Sequence, residues 1–183
     1  MAIKKKKIEI HLLLILCIGI SCSNNNNFLN MIINKRDSTN VNFERGKENW
    51  EKRANKNNIY ESLKYLTKAI NENGENLERS KLMSQACHFT AEYIEDDETK
   101  SDSLYLLGKD TAWSFITKTD SYIEGFNKFS GDLVGKKIAG IDNISENDIE
   151  VLFWWVKNYV SFIANKPVTE RLSAREEIET ALY

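Results

Sequence analysis

Cys87 and His88 are adjacent, and a thiol beside an imidazole is the raw material of a nucleophile–base pair. In a helix, however, sequence neighbours leave the axis about 100° apart and do not face one another. The segment 77–95 reads as a helix, so Cys87 is expected as a small buried thiol. His88 is expected at the surface or between helices. Glu95, Asp96, Asp97 and Glu98 form a second cluster with chemical capacity. Acid–base work by paired carboxylates needs a pocket that drives their pKa values apart. This run falls at a helix-to-helix turn, where charge is solvated and Glu98 favours the dipole of the following helix. The stretch "GDLVGKKIAG", 131–140, misses a phosphate loop, because Lys137 stands where Ser or Thr is required and no apolar strand precedes it. No catalytic residue is expected.

Cys22 is of another kind. Before it come Lys4 to Lys7 and a nine-residue apolar run, Leu12 to Ile20; Asn24 to Asn27 follow. The run is too short for a bilayer-spanning helix of about 20 residues and matches a signal h-region of about 7–15. With Gly19, Ile20 and Ser21 leading to Cys22, the segment resembles the lipobox of bacterial lipoproteins, with Gly19 where Leu is usual. The resemblance implies cleavage before Cys22 and acylation of that residue. It divides the chain into a signal peptide (1–21), a tether (22–40) and a helical domain (41–183). It implies a bacterial cell envelope location, lipid-anchored, facing the periplasm or on the outer membrane. Two or more acyl chains give stable anchoring where one binds reversibly. Phe28 to Ile33, an apolar patch in the tether, is expected to dock on the domain.

Without residues 1–21 the chain keeps 162 residues, enough for one domain with a core. It then carries 21 basic and 26 acidic residues, a net charge of −5, which gives no electrostatic basis for binding nucleic acid. Besides Cys22, Cys87 remains, and His88 is the one histidine. A structural zinc site takes about four N or S ligands. No metal and no cofactor is expected.

The apolar pattern is helical. Ile59, Leu63, Leu66 and Ile70 fall on one stripe; Leu82, Ala86, Phe89 and Tyr93 on a second; Ile149, Leu152, Val156, Val160 and Ile163 on a third. No comparable stretch alternates with period two. Asn58 with Glu61, and Ser145 with Asp148, are spaced as capping boxes. Gly74 marks a helix end and Pro167 a helix start. Helices are expected near 41–56, 59–72, 77–95, 99–118, 146–164 and 168–183, with a glycine-containing connector over 119–145 that has room for a short helix. Short turns between them predict an all-α fold of stacked antiparallel pairs, each burying its face against the next.

"YESLKYLTKAINEN", 60–73, resembles the second helix of a tetratricopeptide repeat, with Ser62 at the small position, Tyr65 and Leu66 as the bulky pair and Ala69 at the close-packing position. Four blocks extend the likeness: 43–70 with Trp50, "LMSQACHFTAEYI" (82–94), "YLLGKDTAWSFI" (105–116) and "DIEVLFWWVKNYVSFI" (148–163). In this order they resemble the TRAP-transporter TatT component family. That resemblance implies a periplasmic, lipid-tethered helical protein, assembled as a homotrimer. It implies a periplasmic solute-binding protein as partner and a small hydrophobic or organic-acid ligand. Family members continue past the equivalent of Tyr183, so a C-terminally truncated member is expected, with Ile178, Ala181 and Leu182 left without a neighbour unless an oligomer contact covers them. The alternative is a surface or periplasmic lipoprotein serving as interaction scaffold or adhesin.

The tryptophans are the remaining binding candidates, since aromatic residues dominate interface hot spots. Trp50 and Trp113 are expected in the core. Trp154 and Trp155 cannot share one helix face, so one belongs to the core and the other to a ligand or partner surface.

Overall fold

The computed structural model of the protein describes residues 41–182, and every regular element in that span is a helix. These are α1 (41–51), α2 (Lys56–Asn73), α3 (Leu77–Tyr93), α4 (Glu98–Ile116), α5 (Asp120–Lys128), α6 (Leu133–Asp142), α7 (Ile149–Ala164) and α8 (Val168–Leu182). A single 3-10 turn, Glu146–Asp148, leads into α7. Cys22 and the tether patch Phe28 to Ile33 lie outside the described residues.

Short polar side chains start the helices. Asn55 accepts the Asn57 N–H at 2.9 Å, Asn76 that of Arg79 at 2.9 Å, and Asp97 those of Thr99 and Lys100 at 2.9 and 3.2 Å. Each such cap contributes about 1 kcal/mol. The cap of α2 is therefore Asn55, not Asn58: Asn58 lies inside the first turn and donates to the Lys52 carbonyl at 3.0 Å. That cap also ends α1 at residue 51, five residues before the expected boundary. The Ser145 side chain does not cap the backbone of the following turn; its hydroxyl donates to the Asp148 carboxylate at 2.6 Å. Gly74, at φ +72°, closes α2 by donating to the Ile70 carbonyl at 2.8 Å.

The helices form antiparallel pairs, α1 with α2, α3 with α4 and α7 with α8. Helix α7 packs on both α3 and α4, so the third pair follows the second directly, although residues 117–148 separate them in sequence. A common device sets the crossings within pairs. In the first pair the buried Ser62 hydroxyl donates to the Gly46 carbonyl at 2.8 Å; in the second the buried Ser84 hydroxyl donates to the Gly108 carbonyl at 2.9 Å. A Cβ on Gly46 would stand 2.8 Å from Leu66. The second helix of each pair presents a small residue, then a buried one four places on: Ser62 and Leu66, Gly108 and Ala112, Ala174 and Ile178. The fold is an all-α stack of helix pairs, as the periodicity predicts.

Two apolar clusters hold it. Phe43, Leu63, Leu66, Ala69, Met83, Ala86 and Cys87 fill the first. Ile116, Tyr122, Ile141, Val151, Trp155 and Ile178 lead the second. Where α3 meets α4 and α7, the seam is polar instead: Ser84, His88 and Asn158 are all buried.

The connector holds two helices where the sequence left room for one short one. It forms α5 and α6, a helical hairpin whose second helix packs on α8. Ile178 is consequently buried and Ala181 packs against the second core; of the three residues expected to lack a neighbour, Leu182 alone is exposed. Two stripes also shift. In α3, Tyr93 is exposed while Ser80, Ser84 and Thr90 are buried, because α3 is covered on several sides and small polar residues let its neighbours approach. In α7, Ile149 and Val160 of the expected stripe are exposed, and the buried face runs through Val151, Leu152, Trp155, Val156 and Asn158.

Candidate functional site

Helices α1, α3 and α7 lie side by side and form one face of the stack. Between α1 and α3, the Trp50 ring meets Phe89 edge-on at 5.5 Å, and the Arg79 guanidinium stands 5.9 Å from the Phe43 ring. Phe43, Trp50 and Leu82 floor a groove of about 210 Å³ whose rim carries Lys47, Glu51, Glu78 and Lys81. From α3 the face passes to α7 through the Lys81–Glu150 ion pair at 2.7 Å and the His88 and Trp154 rings, 5.9 Å apart. The face thus alternates aromatic surface with charges of both signs.

His88 is the most unusual residue along it. Its side chain is 6% exposed, held between Trp154 and the Tyr105 ring at 5.5 Å, and its buried Nδ1 makes no hydrogen bond to another described residue. Burial holds its pKa below the ordinary 6.5, and the nearby Lys157 pushes the same way, against a smaller opposing pull from Glu92. Glu92 accepts the Tyr105 hydroxyl at 2.5 Å. Burial, then that bond, drives the Tyr105 phenol far up.

Cys87 and His88 do not form a pair. Cys87 faces the first apolar core, where complete burial pushes its thiol up to about 12, leaving no thiolate near neutral pH. His88 faces the polar seam. Three acids of the run 95–98 make structural contacts: Asp97 caps α4, Glu95 accepts from the Tyr60 hydroxyl, and Glu98 accepts from Asn165 at 3.3 Å. "GDLVGKKIAG" starts at a cap, Asp132, and is helical from Leu133. Among the described residues, no three His, Cys, Asp or Glu side chains gather closely enough to hold a metal, and no helix is long and apolar enough to cross a membrane.

The tryptophans divide as the helix geometry requires. Trp155 is 2% exposed and stacks on Trp113 at 5.0 Å, inside the second core. Trp154 is half-buried on the α1–α3–α7 face. Trp50 and Trp113 are half-buried rather than enclosed, each with one side against a core and the other lining a groove. The Trp113 groove, about 390 Å³, lies at the α4–α5 corner with Tyr122, Ile123 and Phe126. Its Lys137 ammonium is engaged by Glu177 at 3.3 Å.

Sequence reasoning missed the Asn158–Gly108 contact that fixes this face. Asn158 donates from Nδ2 to the Ser84 and Trp154 carbonyls at 3.0 and 2.8 Å. Its Oδ1 points at Gly108, where a Cβ would come within 2.5 Å. The available signal was one amide amid the apolar "VLFWWVKNYVSFI".

Comparison with protein-family models, with curated proteins and with solved structures finds no match to this chain.

Proposed function

We propose that this protein is a lipid-tethered, non-enzymatic scaffold that engages a partner protein through its α1–α3–α7 face. The observation that carries the reading is that face itself. Its three helices present Trp50, Lys81, Glu150 and Trp154 on a surface of mixed charge and aromatic character, with the buried His88 packed against Trp154. Half-buried aromatics beside charged groups are the composition of interface hot spots. The sequence resemblance narrows the partner to a periplasmic solute-binding protein of a tripartite ATP-independent transporter, met by a homotrimer tethered at Cys22 in the cell envelope. A small hydrophobic or organic-acid ligand belongs to the same reading. A general scaffold or adhesin would use the same face without the transporter.

Sedimentation velocity tests this. The chain lacking residues 1–21 and carrying Cys22→Ser is mixed with solute-binding proteins from the same cell. The transporter reading expects a trimer-sized species that takes up one such protein and loses it in Trp154→Ala. A folded monomer that takes up none sinks the transporter reading. Uptake that survives Trp154→Ala and a second change, Trp50→Ala, sinks the assigned face.

A further inference from the structure

At the opposite edge of the third pair, the ends of α6, α7 and α8 enclose an apolar groove of about 410 Å³. Ile149, Leu152, Phe153 and Val156 of α7 form one wall and Ala181 and Leu182 of α8 the other. Ile149, Phe153 and Leu182 are 51%, 52% and 64% exposed. From this groove we propose a docking site for an amphipathic helix with basic flanks, supplied by a partner protein. The site goes beyond the α1–α3–α7 face and does not depend on it.

The stack itself says why the occupant is a helix. Helix α7 seats on α3 and α4, contacting α3 at Lys81, Ser84 and His88. Those residues stand four, seven and eleven places after the start of α3 at Leu77. At the same places after its own start at Ile149, α7 offers Phe153, Val156 and Val160. Of these, Phe153 and Val160 are exposed, and the largely buried Val156 lines the groove. Where α3 uses charge and a polar seam, α7 is apolar at all three places. An incoming helix is thus asked for an apolar stripe at i, i+3/i+4 and i+7.

Charge at the rim fixes the flanks. Asp142 is exposed and lines the groove, and Glu146 is exposed in the 3-10 turn that leads into Ile149. Glu150 is paired with Lys81 on the α1–α3–α7 face, Arg175 on α8 is held by Glu179 at 2.6 Å, and the exposed Lys157, one turn along α7 from Phe153, offsets only one of the two acids. The surplus is negative, so lysines or arginines on the partner helix are favoured and a like-charged helix is repelled.

The probe is a synthetic helical peptide with leucines on one stripe and lysines beside it, and its twin with glutamates for lysines. Binding to the full-length chain is read by fluorescence anisotropy. The lysine peptide is expected to bind at least tenfold tighter than its twin. Phe153→Ser and Ile149→Ser, which leave the charge unchanged, are each expected to weaken it fivefold or more. Leu133→Ser, at the far end of α6 and 62% exposed in the parent, is expected to leave it unaltered. Thermal melts confirm that each variant folds, and either groove variant suffices. The proposal is overturned by equal binding of the two peptides, by binding of neither, or by losses as large in Leu133→Ser. It is also overturned if sedimentation shows a dimer that Phe153→Ser dissociates, since a second copy would then hold the groove.

Discussion

Asn158 on α7 reaches across 74 residues of sequence to donate to the Ser84 carbonyl on α3 at 3.0 Å, and its other amide atom abuts Gly108 on α4. One amide thus joins three helices. Its removal deletes both side-chain hydrogen bonds and opens a buried gap where the three helices meet, and Asn158→Ala is expected to cost about 1–3 kcal/mol. Gly108→Ala drives a methyl to within 2.5 Å of Oδ1 and 2.7 Å of Cγ, so a further loss of about 1–3 kcal/mol is expected from overpacking. Combining the two removes the clash, and the double variant should lose less than the sum. Urea unfolding of the four proteins gives the coupling. Simple additivity would show that the two side chains do not meet.

His88 links the same seam to pH. Its folded pKa lies below the unfolded value of about 6.5, so the folded state holds the neutral ring. The unfolded state then binds more protons as pH falls through 6.5, and stability drops. The contribution is fully present above the unfolded pKa and is lost progressively down to the folded one. The groups facing the ring agree: Lys157 opposes its charge, and Glu92 only partly answers it while accepting from Tyr105. Thermal melts from pH 7.5 to 5.5 should show the parent losing stability and His88→Phe losing less. Parallel curves would place the pH dependence elsewhere.

Trp155 and Trp154 are neighbours with unequal roles. Trp155→Ala opens a cavity beside Trp113 and should cost about 3–5 kcal/mol. Trp154→Ala removes a half-buried ring and should cost less than half as much, while altering the environment of His88. Equilibrium unfolding, with an NMR titration of His88, separates the two. Equal losses would mean that the face of α7 is rotated from the one described.

That division was legible in the sequence because adjacent helical residues must diverge. The pairing was legible for a similar reason: Ile59, Leu63 and Leu66 fall on one stripe and are buried on one stripe. The α3 interior was not. Ser80, Ser84 and Thr90 read as polar, yet they are buried because close helix crossings favour small side chains and the Ser84 hydroxyl finds a carbonyl in the facing helix. Nor was the α5–α6 hairpin, whose glycines look like loop residues. Gly125 and Gly140 sit inside helices at contacts where a side chain does not fit, a property of the partner helix rather than of the local chain. The covering of Ile178 follows from that hairpin and was hidden with it.

The hairpin offers the sharpest steric test. Alanine in place of a helical glycine ordinarily stabilises by up to about 1 kcal/mol through propensity. At Gly125 a Cβ would lie 2.3 Å from the Ala139 carbonyl oxygen and 2.6 Å from the Asn143 Cβ. The first of these is backbone in the middle of α6, so no side chain can swing aside; the helices must part. Gly125→Ala is therefore expected to destabilise by about 1–3 kcal/mol despite the propensity gain. It should also expose the α5–α6 turn to limited proteolysis. Gly46→Ala is the control, because its nearest neighbours are the movable Leu66 side-chain atoms at 2.8 and 2.9 Å, and a smaller loss is expected there. If Gly125→Ala melts at or above the parent temperature and resists protease equally, then α5 and α6 do not approach at this contact, and the cover over Ile178 must be built differently.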